Sequence, residues 1–366
     1  KPCGGGIQLG DILEFGQPPD NVIERAIRRS RIISPSYNII ETVVEKKLKG
    51  KWGDRRIPAA TVKRGNYDLW LRRRAEIAGA EFLDNTVVRT INQKRGLHEV
   101  RAGSRRFTAR LVVDAAGASS PVRRMLGIKD RFPEICVTLH RWLKPEGKCR
   151  CFGDATEFYF IRDNPEGYAW IFPKKDIVSV GIGATADSVK RGKLNLRAML
   201  DDFIRKHPVA SAKLRGFRKA KEWGGIVPLG ILPRLHTKNA VIVGDSGGFA
   251  NIIHGGGIYQ ARKSGKIAAK HCARFLNTGK HEHLEDYDTE ARQWFEGYET
   301  KWDRKLRKAL WNHMLVDRLA EKGKNDRHVK EALGIVLTSA KSHENAYRTI
   351  ERRILEIMYS ELDSRT

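Results

Sequence analysis

Asn239-Ala-Val-Ile-Val-Gly-Asp-Ser-Gly-Gly-Phe-Ala-Asn-Ile-Ile-His-Gly-Gly-Gly-Ile258 decides the reading of this chain. The apolar run Ala240 to Val243 predicts a buried strand ending in the acidic turn Gly244-Asp245. Beyond Gly255, Gly256 and Gly257, apolar or small residues recur at Ile258, Ala261, Gly265, Ala268, Cys272 and Phe275, a helical spacing. Glycines at a helix start let a ligand approach bare backbone, where N–H groups and the positive dipole end favour anionic groups. The plainer alternative is a Gly-Asp that ends a strand and glycines that form an ordinary loop.

A strand-end Asp followed by a glycine-opened helix suits a flavin. Asp245 would accept hydrogen bonds from ribityl hydroxyls, and the helix start would stabilise the anionic reduced ring. Three further segments point the same way: Cys3-Gly-Gly-Gly-Ile7, Leu111-Val-Val-Asp-Ala-Ala-Gly117 with Ser120 and Val122-Arg-Arg124, and Gly167-Tyr-Ala-Trp-Ile-Phe-Pro173 followed by Val178-Ser-Val-Gly-Ile-Gly183. Together they resemble the hydroxylase-like FAD oxidoreductases, and more narrowly the geranylgeranyl reductase family, which saturates isoprenoid double bonds. The resemblance spans most of residues 1 to 280 and implies FAD as cofactor. It puts Cys3, Gly4 and Gly5 beside the flavin, Gly117 in close approach to it, and Asp245, Gly255, Gly256, Gly257 and Ile258 around its ring. Arg64-Gly-Asn-Tyr-Asp68 is similar to the family's Arg-x-x-Phe-Asp, so Arg64 is expected at the flavin's phosphate or ribityl region; otherwise it is a solvated surface arginine. Two positions depart from the pattern: His254 stands where proline or threonine is common, and Asp114-Ala-Ala-Gly replaces Ala-Asp-Gly.

No G-x-G-x-x-G follows a strand pattern, and no acidic ribose partner lies beyond one. The family carries that fingerprint just upstream of its Cys-Gly-Gly-Gly loop, whereas here the chain enters the loop at once. The expectation is therefore a Rossmann-like FAD-binding domain with its first βαβ unit missing, and weak or absent FAD binding. The expected fold is mixed α/β: residues 1–130 as the first part of the FAD-binding domain, 131–235 as an antiparallel-sheet substrate domain, 236–280 as the FAD domain's return segment, and 281–366 as a helical C-terminal region. Within these, short strands are expected over 17–50, 82–115 and 156–183, with turns at Gly96 and Gly103. A helix is expected from Arg64 to a stop at Gly79. Trp294, Tyr298, Trp302, Leu306 and Leu310 recur every fourth residue, an apolar helical stripe that reads as core.

Sixty-nine Lys plus Arg against 43 Asp plus Glu give a formal charge of +26 over 366 residues. Such an excess favours anionic partners: acidic lipid surfaces, phosphorylated substrates, an acidic redox protein or nucleic acid. It also fits a generally basic proteome. A non-enzymatic nucleic-acid-binding protein rests on charge alone, without a recognisable motif, so no nucleic acid is expected. No window approaches the roughly 18 apolar residues of a membrane span. Five cysteines point to a reducing compartment, and a cytoplasmic location is expected, peripheral to the membrane face. Cys149 and Cys151 read as two thiols on one strand face rather than a metal site.

An isolated C=C bond is a poor hydride acceptor. Its reduction needs a proton at one carbon while reduced flavin delivers hydride to the other, in a dry apolar site. Tyr168, Trp170 and Phe172 alternate, so they share a strand face and would line a prenyl tunnel, with Tyr168 as a proton donor or a residue that orients water. The alternative is an ordinary aromatic sheet core. Cys3 is the second catalytic candidate, a thiol among backbone N–H groups; otherwise it is a small residue that fits a tight loop. Candidate substrates are geranylgeranyl groups on diphosphate or ether-lipid glycerophosphates. Lys305, Arg307 and Lys308 would face an anionic membrane, and electrons would come from ferredoxin, NAD(P)H or a deazaflavin. A monooxygenase or halogenase of the same fold is the alternative enzyme.

Overall fold

The computed structural model describes residues 3–49, 55–147, 153–192, 194–297, 301–339 and 341–363, without the side chains of 309 and 357–363. Contacts divide the chain into two units: Lys1–Trp70 with Cys136–Gly225 and Lys301–Thr366, and Leu71–Ile135 with Ile226–Thr300. The grouping cuts the chain differently from the boundaries drawn on sequence, because the first 70 residues pair with the sheet segment.

In chain order the first stretch holds β1 (Gly6–Ile7), α1 (Leu9–Phe15), β2 (Ile23–Ile27), β3 (Arg29–Ile33), β4 (Ile39–Val43), β5 (Glu45–Leu48), β6 (Arg55–Val62) and α2 (Arg64–Ile77). There follow β7 (Val88–Lys94), β8 (Leu97–Ala102), β9 (Arg105–Ala109), β10 (Val112–Asp114) and α3 (Val122–Met125). The middle of the chain forms β11 (Glu134–Pro145), β12 (Ala155–Tyr159), β13 (Gly167–Pro173), β14 (Val178–Thr185), α4 (Ala186–Gly192), α5 (Leu196–Arg205), α6 (Pro208–Leu214) and β15 (Phe217–Leu229). The remainder is β16 (His236–Thr237), β17 (Ala240–Ile242), α7 (Ile258–Thr278), α8 (Glu282–Phe295), α9 (Lys301–Leu310), α10 (His313–Gly323), α11 (Arg327–Thr338) and α12 (Glu344–Asp363).

The first unit is built on a seven-stranded sheet, β15-β11-β14-β13-β12-β3-β4, antiparallel except for β12 beside β3. Alternation along β14 explains its two faces. Val178, Val180, Ile182 and Ala184 turn to one side, where they join Ile171, Tyr159, Leu200, Phe203 and Leu214 in a buried core under α5 and α6. Ser179, Gly181 and Gly183 turn to the other, beside the aromatic residues of β13. Asn195 caps α5 and His207 caps α6, each accepting two main-chain N–H groups. A four-stranded sheet joins β1, β6 and β2 with β5 on β6. The C-terminal helices bind this unit: α11 packs on β4, and Gln8 Nε2 donates to Leu337 O and Ser339 Oγ.

In the second unit, β10 and β17 run parallel, with Val112 opposite Ala240 and Asp114 opposite Ile242, and β16 closes the sheet. This is the expected Rossmann-like part. A separate meander, β7-β8-β9, turns at Gly96 and Gly103, both with positive φ. Val241, Ile242, Phe249, Ile267, Phe275, Tyr287 and Phe295 form the core beneath α7 and α8.

Two expectations need correction. The every-fourth-residue stripe from Trp294 to Leu310 is not one helix. Trp294 lies on α8, which ends at Phe295, while Leu306 and Leu310 lie on α9 in the other unit; Tyr298 lies outside the described residues. Leu306 and Leu310 are buried, as a core stripe requires. Arg307 is also buried, its guanidinium 3.4 Å from the Trp311 ring centroid, so Lys305 and Lys308 are the exposed members of that basic trio. Cys149 and Cys151 fall outside the described residues.

Candidate functional site

The first group of candidate residues gathers on the glycine-bearing face of the large sheet. The register fixes three rows across β13, β14 and β11: Tyr168–Gly183–Thr138, Trp170–Gly181–His140 and Phe172–Ser179–Trp142. Phe158 continues the face on β12, with ring centroids 5.6 Å from Tyr168 and 5.3 Å from Phe172. At the other edge His140 stacks on Trp223 at 5.1 Å, and Trp142 meets Trp223 edge-on at 4.8 Å. The middle strand carries small residues because Trp170 lies across it. A Cβ at Gly181 would stand 2.2 Å from Trp170 Cζ2 and 2.6 Å from His140 Cβ.

Trp170 Nε1, Trp142 Nε1 and Ser179 Oγ are buried on this face without a hydrogen-bond partner among the described residues. Burial, then the charge of Lys174, pushes His140 down to about 4, so it is neutral at physiological pH. Burial, with a smaller contribution from Cys136 and Cys3, raises the Tyr168 hydroxyl above its ordinary range and keeps it protonated.

Cys3, Gly4 and Gly5 lie against the same strand. A Cβ at Gly4 would approach the Phe172 ring to 2.9 Å and Trp170 Nε1 to 3.3 Å. Gly5 has φ +74 and would drive a Cβ to 2.1 Å from Val62 O, so only glycine fits there. Gly5 N–H donates to Cys3 Sγ at 3.3 Å. Arg64 opens α2 and makes a two-pronged pair with Asp68 at 2.9 and 3.0 Å. Burial opposes the Arg64 charge, but the Cys3 sulfur and Asp68 together raise its pKa above the ordinary value. Arg64 is therefore partly buried beside Cys3 rather than a loose surface arginine.

The second group lies at the carboxyl ends of β10 and β17, where open α/β sheets bind ligands. Asp114 is fully buried, and its carboxylate accepts from Ala116 N–H at 3.0 Å, from Ser120 Oγ at 2.9 and 3.0 Å, and from Ser246 Oγ at 3.0 Å. Gly117 N–H donates to Ser246 Oγ at 2.7 Å. Asp114 is thus an internal clamp that ties the Gly117 loop to the Gly244-Asp245-Ser246 turn, a role the sequence left open. Gly244 N–H donates to Ser264 Oγ of α7 at 3.0 Å.

Asp245 closes over the start of α7: its Oδ1 lies 3.0 Å from the point a Gly257 Cβ would occupy. Gly257 is the N-cap residue of α7 and supplies no side-chain cap. Gly255, Gly256, Gly257 and Ile258 are all half-buried. Asn251 Oδ1 accepts from Ile253 and His254 N–H at 2.9 and 3.2 Å, and His254 Nδ1 accepts from Gly256 N–H at 3.0 Å. His254 therefore braces the glycine loop.

Sequence reasoning missed His140, Trp142, Trp223 and Lys174. Only the alternation Ser179, Gly181, Gly183 marked room for a broad ring on the neighbouring strand.

A family model described as FAD dependent oxidoreductase matches residues 26–274. The chain is 31% identical to the geranylgeranyl diphosphate reductase of Synechocystis sp. over 315 residues, 81% of this chain and 73% of that protein. It is 31% identical to the digeranylgeranylglycerophospholipid reductase of Methanocella arvoryzae over 80% of this chain and 73% of that one. Against the chloroplastic geranylgeranyl diphosphate reductase of rice the identity is 29%, over 74% of this chain, which spans only 58% of the rice protein. The fold superimposes on a geranylgeranyl bacteriochlorophyll reductase-like protein from Thermoplasma acidophilum with a TM-score of 0.81 at 22% identity, covering 99% of this chain and 89% of that one. The chain belongs to the FAD-dependent oxidoreductases, and among them to the geranylgeranyl reductase family.

Proposed function

We propose that this protein reduces isoprenoid C=C bonds with FAD, its substrates being geranylgeranyl groups on diphosphate or on ether-lipid glycerophosphates. The aromatic face of the large sheet carries the reading. Its rows of Tyr168, Trp170 and Phe172, extended by Phe158, His140 and Trp142, offer π surface and few polar partners to a hydrocarbon chain rich in double bonds. The names of the relatives support the same chemistry.

The residues of the second unit fit FAD. Asp245 lies close over the glycine-opened helix, where a side chain at Gly257 would crowd its carboxylate. Asp245 would accept from ribityl hydroxyls, Gly255, Gly256, Gly257 and Ile258 at the helix start would hold the ring region, and Gly117 would give close approach. Arg64 and the Cys3-Gly4-Gly5 loop keep the cofactor-binding role that the family resemblance implies. When bound and reduced, FAD supplies the hydride. Protonation of the other carbon falls to this chain: Tyr168 holds a proton at its hydroxyl and Cys3 is the second candidate donor. Trp170 and Phe172 exclude water and stabilise developing positive charge on carbon.

The substrates and the net positive charge also support docking on an anionic membrane surface through Lys305 and Lys308, with an acidic ferredoxin or NAD(P)H as electron source. Among the described residues no helix is long and apolar enough to cross a membrane. Lys305→Glu/Lys308→Glu is expected to weaken co-sedimentation with phosphatidylglycerol vesicles at low salt; unchanged sedimentation would remove this surface from the proposal.

The decisive experiment incubates FAD-loaded protein anaerobically with dithionite and either geranylgeranyl diphosphate or a geranylgeranylated glycerophospholipid. Mass spectrometry is expected to show the gain of two hydrogens per reduced bond. No gain with either substrate on flavin-loaded protein refutes the reading, and an oxygen-dependent product would favour a monooxygenase or halogenase.

A further inference from the structure

Lys174 follows directly on the aromatic strand β13. It is 2% exposed, where an ammonium needs compensation. Its Nζ donates to the Gly4 carbonyl at 2.8 Å and lies 3.0 Å from the point a Gly5 Cβ would occupy. Its main chain is fixed: its carbonyl accepts from Arg25 Nε at 3.1 Å, its N–H donates to Ile177 O at 2.9 Å, and the preceding Pro173 carbonyl accepts from Thr61 Oγ1 at 2.6 Å. On its far side the loop is tied to β6, where Val62 N–H donates to Gly5 O at 2.8 Å. A rigid anchor therefore delivers one buried cation to one carbonyl of the Cys3-Gly4-Gly5 turn.

We propose that Lys174 is a positioning residue, setting the conformation of the Cys3-Gly4-Gly5 loop through a charge-assisted hydrogen bond to the Gly4 carbonyl. The effect on turnover rests on the reductase reading; the effect on the loop does not. The titratable and charged groups near Lys174 lie on several elements. Cys3 lies in the loop itself, and Glu24 and Arg25 lie on β2. Lys63 lies between β6 and α2 and Arg64 is the first residue of α2; His140 lies on β11, and Lys175 and Asp176 in the same turn. Glu24 is shared, accepting from Lys175 N–H at 3.2 Å and lying 3.6 Å from Lys63 Nζ, which also meets Asp176 at 2.6 Å.

Burial is the largest influence on Lys174 and brings it down to about 8; Cys3 and Glu24 oppose this, and Lys63 adds to it. Between pH 7 and 9.5 the ammonium therefore becomes an amine. A neutral amine still donates, but without the charge that makes such bonds roughly twice as strong. The folded-state value lies below the unfolded one, so the unfolded chain binds more protons between about pH 8 and 10. This group's contribution to global stability thus rises with pH over the interval in which the loop loosens. A lysine that merely filled space would not move the two readouts in opposite directions.

Hydrogen exchange of the full chain, read on peptides covering residues 3–9 and corrected for intrinsic base catalysis, tests this. Protection is expected to fall severalfold, up to about tenfold, from pH 7 to 9.5, the difference between a charge-assisted and a neutral hydrogen bond. Lys174→Met should lack the extra protection at both pH values, and Lys174→Arg should retain it at both. If the larger arginine is not accommodated, the wild-type profile and Lys174→Met decide. A flat wild-type profile or wild-type protection in Lys174→Met overturns the proposal. With FAD-loaded protein, Lys174→Met should lower kcat about tenfold and leave KM for geranylgeranyl diphosphate unchanged. A loosened loop with unchanged kcat would leave Lys174's hold on the loop standing and remove the loop from the reaction.

Discussion

Gly181→Ala adds one methyl group at the point where Trp170 crosses β14. The new Cβ would stand 2.2 Å from Trp170 Cζ2, 2.6 Å from Trp170 Cε2 and 2.6 Å from His140 Cβ, more than 1 Å inside ordinary contact. The indole must move, and because His140 Cβ is fixed to the backbone of β11 the two strands must also shift apart. Overpacking of this kind costs about 1–3 kcal/mol. Alanine in a strand recovers roughly 0.5–1 kcal/mol by restricting the unfolded chain. The net expectation is a loss of about 1–2 kcal/mol, with Trp170 displaced from its row. Gly183→Ala is the control: its Cβ would meet Thr138 Cγ2 at 3.2 Å and Trp170 Cζ3 at 3.9 Å, so the two terms roughly cancel. Urea unfolding with near-ultraviolet dichroism reads both stability and the tryptophan environment. A cycle with Trp170→Phe isolates the pair, and at least ~1 kcal/mol of the Gly181→Ala loss should vanish in the Trp170→Phe background. Gly181→Ala as stable as wild type with an unchanged aromatic spectrum would refute the packing of the indole on this glycine.

Asp114→Ala removes the acceptor shared by three donors, Ala116 N–H and the Ser120 and Ser246 hydroxyls; unfolding of the second unit should be easier by about 2–4 kcal/mol, with Asp114→Asn intermediate, measured by urea midpoint. His140 is driven down to about 4 in the folded state, below its unfolded value near 6.5. The unfolded chain therefore takes up the proton first, and stability falls as pH drops from about 6.5 to 4 and is unaffected above. The difference is roughly 2–4 kcal/mol, and His140→Phe should remove that slope from urea midpoints taken at pH 7.5 and 4.5. Cys3→Ala should slow alkene reduction more than flavin reduction in stopped-flow traces, and equal rates for the alkene step would end its assignment as a proton donor.

Local pattern was enough for the elements that carry their own signal. The buried strand from Ala240 to Ile242, the helix after Gly257, the helix from Arg64 to Ile77 and the turns at Gly96 and Gly103 were legible because periodicity and glycine punctuation act over a few residues. So was the shared face of Tyr168, Trp170 and Phe172, since a strand alternates whatever its neighbours are. The stripe from Trp294 to Leu310 misled for the same reason: spacing every four residues says nothing of a break between two helices. What the sequence left undecided were pairings between distant segments. His140 and Trp142 meet the aromatic face only through the β11–β14 register, 40 residues apart in sequence. Asp114 became a clamp only when β10 lay beside β17 and brought Ser246 within 3.0 Å. Lys174 reached Gly4 across 170 residues. Such contacts depend on which strands pair and in what register, a choice settled by burying the whole core at once rather than by any local run of residues.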